Sequence, residues 1–333
     1  MSQDIFVPTS SPDDALVEQL HTVTFITADK DATERAFVQG YGLESSGWAR
    51  PDSAEATKLK SYFGFDADND FEVCCYSKSG IGSNIQIRAI CTDTSVPQSR
   101  PEYDGLLVGG ATISFPKPDL HEHEKQMMAA GFKSTIGVKE MEFESPTGEV
   151  YISAETIYYG PENAYLLAVK RPDIFVPVGP MDPDSGVGGA AYSARCVDNS
   201  EEILAFIKDV LKFEIRRDVS FEIGDKSALL LPKGANERFI QAFAPGSSTA
   251  YIVIMDHGEH NKTSSTEKLG SPSRGIAMWS FRATDLDEVH RRAIASNTKI
   301  LSGPEHFESP FLGSKRTLLL EDPGGFPIEV FEA

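Results

Sequence analysis

With 333 residues, 40% of them apolar and 24% charged, the chain is long enough for two domains with sizeable cores. Its net charge of −19 argues against nucleic acid and anionic membrane surfaces as partners, while a local pocket of opposite sign remains compatible with a small-molecule substrate. The cysteines, Cys74, Cys75, Cys91 and Cys196, show neither zinc spacing nor a disulfide framework and are expected to be reduced and mostly buried, as in a cytoplasmic protein.

Met1–Pro12 is polar and lacks an apolar signal core, and no stretch is apolar enough to span a bilayer. After a loose lead-in, Leu20–Ile26 alternates as a strand, and Asp29 or Asp31 caps a helix through Ala32, Ala36 and Phe37 that ends near Gly40 or Gly42. Strands are predicted at Leu59–Phe65, Phe71–Lys78 and Asn84–Cys91, giving the order βαβββ. The pattern restarts at Ala111–Phe115, which matches His21–Phe25 position by position. Asp119 then caps a helix stopped by Gly131, and strands follow at Met141–Phe143, Glu149–Tyr159 and Ala164–Lys170. The stretch 172–189, rich in proline and glycine, reads as a linker between a first module pair (19–171) and a second (190–333).

Ala190–Ser193 opens a third unit, in which Asn199 or Ser200 caps an amphipathic helix carrying Ile203, Phe206, Ile207, Val210 and Leu211 on one face. Strands are expected near Phe213–Phe221, Ala228–Leu231 and Arg238–Phe243, with Tyr251–Met255 as an extra one. A fourth unit opens at Ile276–Phe281, with Asp285 capping its helix. The openings at 21, 111, 190 and 277 are spaced 90, 79 and 87 residues apart, which suits duplicated domains rather than a solenoid. Phe143-Glu144-Ser145-Pro146 in the second unit corresponds to Phe307-Glu308-Ser309-Pro310 in the fourth, which supports gene duplication.

The chain closes on Lys315–Glu321, the turn Asp322-Pro323-Gly324-Gly325, and Pro327–Phe331. With Ile328 and Val330 packed in one layer, Glu329 points to the other face: a carboxylate held mid-strand between apolar neighbours. Such a group reads as a metal ligand, a general base or an exposed strand residue.

Asp-Pro-Gly-Gly-x-Pro-Ile-Glu-Val resembles the closing hairpin of the vicinal oxygen chelate superfamily, which includes glyoxalase I, extradiol and hydroquinone dioxygenases and bleomycin-resistance proteins. The resemblance implies an α+β fold of four βαβββ modules forming two cupped, mostly antiparallel sheet pairs. It also implies metal ligands on the opening and closing strands of the modules. Carried over, these positions hold His21 and Gln86 in unit one, none in unit two, Gln241 in unit three and Glu329 in unit four. Pairing unit one with unit two leaves no site with more than two ligands. Pairing unit one with unit four brings His21, Gln86 and Glu329 to one site for Fe, Mn or Zn.

His306 is a further acid–base candidate beside Glu329 and His21, and Trp279, Phe281, Phe25 and Tyr192 are expected to line the cup against an oxygenated, aromatic substrate. Tyr76 and Phe63 are further liners. Asp256-His257-Gly258-Glu259-His260 reads as a solvated loop, and His121 and His123 as helix-surface residues. No nucleotide cofactor is expected, because the chain carries no phosphate loop, dinucleotide fingerprint or nucleophile elbow.

Three functions fit: a metal-dependent lyase, isomerase or ring-cleaving dioxygenase; a metal-free acid–base enzyme on the same cup; or a ligand-sequestering protein without chemistry. Each takes a small molecule as partner, and the four modules leave room for a homodimer.

Overall fold

The computed structural model describes residues 5–144, 150–172, 178–224, 227–263, 270, 272–309 and 313–332. Ser145, Pro146 and Pro310 of the internal match, and part of the proposed linker, lie outside the described residues.

Unit one comprises β1 (Val17–Thr27), α1 (Lys30–Glu34, continued by a π-helical turn Arg35–Gly40), β2 (Glu44–Ser45), α2 (Ser53–Phe63), β3 (Glu72–Ser77) and β4 (Gln86–Cys91). Unit two comprises β5 (Gly109–Pro116), α3 (Leu120–Ala129), β6 (Lys139–Glu144), β7 (Val150–Tyr159) and β8 (Tyr165–Lys170). Unit three comprises β9 (Tyr192–Cys196), α4 (Ser200–Phe206, continued by the π-helical turn Ile207–Leu211), β10 (Glu214–Glu222), β11 (Asn236–Phe243) and β12 (Tyr251–Asp256). Unit four comprises β13 (Gly275–Ala283), α5 (Leu286–Ala295), β14 (Lys299–Ser309), β15 (Gly313–Glu321) and β16 (Pro327–Glu332).

The helix starts follow local chemistry. Asp29, Asp119, Asn199 and Asp285 each place a side-chain oxygen on backbone N–H groups of the first turn of α1, α3, α4 and α5. The predicted strand at Leu59–Phe65 is instead the end of α2 and the turn after it. Asp52 accepts from Ala54 and Glu55, the run Ala54–Lys60 is rich in helix formers, and Gly64 closes the helix at φ 75°. Ala228–Leu231 forms no strand, and Tyr251–Asp256 is the closing strand of unit three rather than an extra one.

Two eight-stranded sheets result, in the orders β14-β15-β16-β13-β1-β4-β3-β2 and β10-β11-β12-β9-β5-β8-β7-β6. Unit one therefore shares a sheet with unit four, and unit two with unit three, so each sheet crosses the division of the sequence at 172–189. At the centre of the first sheet, β1 runs antiparallel to β13 with Thr22 opposite Ser280; β4 and β16 flank them in parallel, Gln86 beside Thr22 and Glu329 beside Ser280. Thr22/Gln86 and Ser280/Glu329 thus occupy equivalent places about a local two-fold axis.

One face of each sheet packs with α1, α3, α4 and α5 into a single core that contains Phe25, Trp279, Phe281, Ile328 and Val330 from the first sheet and Ile113, Phe115, Ile240 and Ile252 from the second. The other two faces form the cups. Among the described residues no helix is long and apolar enough to cross a membrane.

Candidate functional site

The strand period of two decides which predicted residues reach a cup. Phe25, Trp279 and Phe281 do not: they share parity with Val23 and Val330 and lie in the common core. Trp279 satisfies its indole N–H by donating to Ser193 Oγ at 3.0 Å, and Phe25 packs edge-on against Phe37. Tyr76 is likewise in that core, whereas Phe63 does face the first cup. Tyr192 lies in the other cup, that of the second sheet.

In the first cup, Glu329 is fully buried and already neutralised. Arg88 Nη2 lies 3.1 Å from Glu329 Oε2 and Arg88 Nη1 3.4 Å from Oε1; the phenol of Tyr62 donates to Oε1 at 2.9 Å. Arg88 donates further to Thr24 Oγ1 (Nε, 2.9 Å; Nη2, 2.7 Å) and to Ser280 Oγ at 3.1 Å, with its guanidinium carbon 5.1 Å from the Phe63 ring centre. Tyr62 and Phe63 come from α2, and Tyr62 stacks on Phe307 at 4.1 Å. The helix plugs the cup.

His21 sits at the rim, its Nδ1 2.8 Å from Thr22 Oγ1 and its ring against Phe331. Burial, assisted by Arg282, lowers its pKa to about 4, so the ring is neutral at neutral pH. Gln86 Oε1 is within 3.8 Å of Cys75 Sγ. The donor set His21, Gln86 and Glu329 does not fit a divalent ion, because the arginine cation already occupies the carboxylate and the two hydroxyls beside it. Among the described residues no group of three or more His, Cys, Asp or Glu is placed to hold a metal. His306 is exposed in an open groove of about 980 Å³ outside the plug, while its neighbour Phe307 turns inward.

The second cup contains a cavity of about 380 Å³. Met141, Ile157, Leu167, Phe239, Val253 and Met255 give it apolar walls, and Tyr192, Glu155, Glu237, Arg217 and Lys139 supply its polar groups. Lys139 is on β6 and Arg217 on β10, the two outermost strands of the sheet, so the sheet curls far enough for opposite edges to face one space. Ile223, Gly224, Ser227, Ala228 and Leu229, from the β10–β11 connection, close part of the cavity; among them Ala228, predicted as strand, accepts a hydrogen bond from Thr135 Oγ1.

Glu155, half-buried on β7, is pushed up to about 7 by desolvation, with the opposing Lys139 lowering it and Glu237 raising it. Its signal in the sequence was the one that picked out Glu329, a lone carboxylate mid-strand: it has Ala154 and Thr156 as neighbours and Ile157 on the same face. At the central positions equivalent to Gln86 and Glu329 this sheet carries Tyr165 and Val253, neither of them a metal carboxylate. Gln241 is on β11, one strand away from the closing strand where the sequence reading put it.

The loop Asp256–His260 is structural at its start: Asp256 accepts from the backbone of Ser200 and Gly258 and from Asn261. His257 is buried rather than solvated, and His123, expected at a helix surface, is buried between Tyr41 and Tyr158, which lowers its pKa to about 3. His121 is exposed as expected. The cysteines are free; Cys74 and Cys196 are buried, Cys75 and Cys91 half-buried.

Residues 189–330 match the glyoxalase/bleomycin resistance protein/dioxygenase superfamily. No curated protein sequence matches the chain. Glyoxalase I from Zea mays superposes with a TM-score of 0.57 at 12% identity over 94% of this chain and 92% of that one. A single-residue variant of the same maize enzyme gives 0.61 at 11% identity over 96% and 95%. A protein from Bacillus subtilis provisionally named a dioxygenase gives 0.54 at 12% identity, covering 96% of this chain and 86% of that one. At these identities the likeness is one of fold.

Proposed function

We propose that the chain, whose residues 189–330 match the glyoxalase/bleomycin resistance protein/dioxygenase superfamily, is a small-molecule enzyme of that superfamily working in the cup of its second sheet. The reaction class we propose is proton transfer, as in an isomerase or lyase, on an oxygenated substrate with an apolar or aromatic body. The observation that carries this reading is Glu155, a carboxyl near neutrality in the wall of an apolar cavity that also presents Arg217 and Lys139. An apolar body fits between Ile157, Leu167, Phe239 and Val253, while the two cations favour an oxygen that becomes negative as the proton leaves. Glu155 accepts that proton on its carboxylate and returns it.

The first cup favours no such role, since its carboxylate is ion-paired with Arg88, accepts from Tyr62 on Oε1 and is covered by α2. The ion pair at that position favours a second reading for the protein as a whole, ligand sequestration without turnover. Both readings take a small molecule as the partner and go with a cytoplasmic location as the working proposal.

The test is a screen of enolisable carbonyl compounds and hydroxylated aromatics for exchange of a carbon-bound proton with D₂O, read by NMR, in wild-type protein and Glu155→Gln. Exchange catalysed by the wild type and lost in the variant supports the enzyme. Tight binding of a compound in both proteins, with no exchange or conversion in either, establishes sequestration instead.

A further inference from the structure

We infer that Glu237 and His257 form a second proton-handling pair on the cavity, in which Glu237 meets the substrate and His257 is the positioning residue behind it; this rests on the reading of the second cup as the working site. Glu237 is only 5% exposed and lines the cavity from β11, near the opposite edge of the same sheet from Glu155 on β7. Glu155 and Glu237 both line this one space, together with Tyr192, Phe239 and Met255. A carboxylate in such a wall requires a partner.

His257 fits that need. Its side chain is 1% exposed, and neither ring nitrogen has a hydrogen-bond partner among the described residues. Its Nε2 lies 3.7 Å from Glu237 Oε2, just beyond hydrogen-bond length. The backbone around it is tightly held: the His257 N–H donates to Asn261 Oδ1 at 3.0 Å, Asn261 Nδ2 donates to Asp256 Oδ1 at 2.9 Å, and the His257 carbonyl accepts from His260. A frame this well satisfied delivers an imidazole with two unused nitrogens to the back of a cavity carboxyl. Unused buried polar atoms call for a cause, and a contact that tightens when the cavity fills supplies one.

The proton path balances with water as the only other reactant. Glu237 takes a proton from the substrate onto Oε2, the new O–H donates to His257 Nε2, and transfer leaves a carboxylate and an imidazolium. The reverse steps return the proton. With Glu155 on the opposite wall entering in its protonated form, the pair takes one proton from the substrate while Glu155 gives its own at another position, and loss of the imidazolium proton to water with reprotonation of Glu155 from water restores the start, which specifies a substrate that isomerises rather than one that is only ionised.

The experiment uses the full chain with ¹⁵N-labelled histidine and the probe 8-anilinonaphthalene-1-sulfonate, an apolar anion of suitable size. The His257 ring signals are assigned with His257→Asn and followed in wild type, Glu237→Gln and Glu155→Gln, with and without the probe. The expected result is a solvent-protected His257 ring N–H that shifts when the probe binds, is lost in Glu237→Gln, and persists in Glu155→Gln. Ring signals that are the same in wild type and Glu237→Gln, free and probe-loaded, overturn the pair while leaving the cavity reading intact. If the probe shows no binding that Ala194→Leu, a cavity-filling change, abolishes, then the cavity reading fails and the pair fails with it.

Discussion

Arg88 and Glu329 form an ion pair, 3.1 Å between Nη2 and Oε2, in which neither side chain is more than 1% exposed. The arginine reaches it from β4 across β1 and β13 to β16, bonding to Thr24 and Ser280 on the way. Removing one partner of such a buried pair leaves a stranded charge and costs about 3–5 kcal/mol, whereas replacing both by apolar groups is close to neutral. Chemical denaturation of Arg88→Met should therefore show a large loss, and Arg88→Met with Glu329→Leu should recover most of it. A single variant as stable as wild type would mean the pair contributes little.

The same pair bears on metal content. Protein equilibrated with Mn(II), Fe(II) or Zn(II) and analysed by elemental mass spectrometry should hold no metal that Glu329→Gln removes, because Arg88 already fills that space. One equivalent of metal sensitive to Glu329 would show that the arginine can leave and that the first cup is a metal centre.

Tyr62 fixes the plug. Its hydroxyl donates to a buried charge, an interaction worth about 1.5–3 kcal/mol. Tyr62→Phe should lower stability by that amount and leave cavity binding of 8-anilinonaphthalene-1-sulfonate unchanged, since the two cups lie on separate sheets. A change in probe affinity would reveal coupling between them.

Glu155 makes a pH-dependent prediction. Its folded pKa of about 7 is raised from 4.5, so between these values the native state holds more protons than the unfolded one and stability falls as pH rises. The cost is absent below the unfolded value and complete above the folded one. Glu155→Gln should consequently raise the melting temperature at pH 8 and leave it nearly unchanged at pH 4. An equal effect at both would remove the basis for Glu155 as a proton carrier.

His21 acts in the opposite direction. Burial lowers it from 6.5 to about 4, so the unfolded chain takes up its proton first on acidification. The stability this site contributes is present above pH 6.5 and is lost as pH falls toward 4. His21→Phe should shift the acid unfolding midpoint downward without a comparable change at pH 8, and an unchanged midpoint would contradict the burial argument.

By itself the sequence determined the repeating βαβββ order, the helix caps at Asp119 and Asp285 and the closing hairpin, because caps, turns and a period of two are written in neighbouring residues. It misread Leu59–Phe65, where a short apolar run looked extended while the cap at Asp52 and the left-handed Gly64 fixed a helix. Only the tertiary structure decided that unit one shares a sheet with unit four and unit two with unit three, since strand pairing is set by contacts far apart in the chain. The same long range hid the chemistry. Parity alone puts Glu329 on the cup face, but it does not disclose that Arg88, 241 positions away in the chain, pairs with it, or that Glu155 and Glu237 line one cavity on the other sheet. A carboxylate becomes reactive through what surrounds it, and those surroundings come from strands that meet only when the sheet curls.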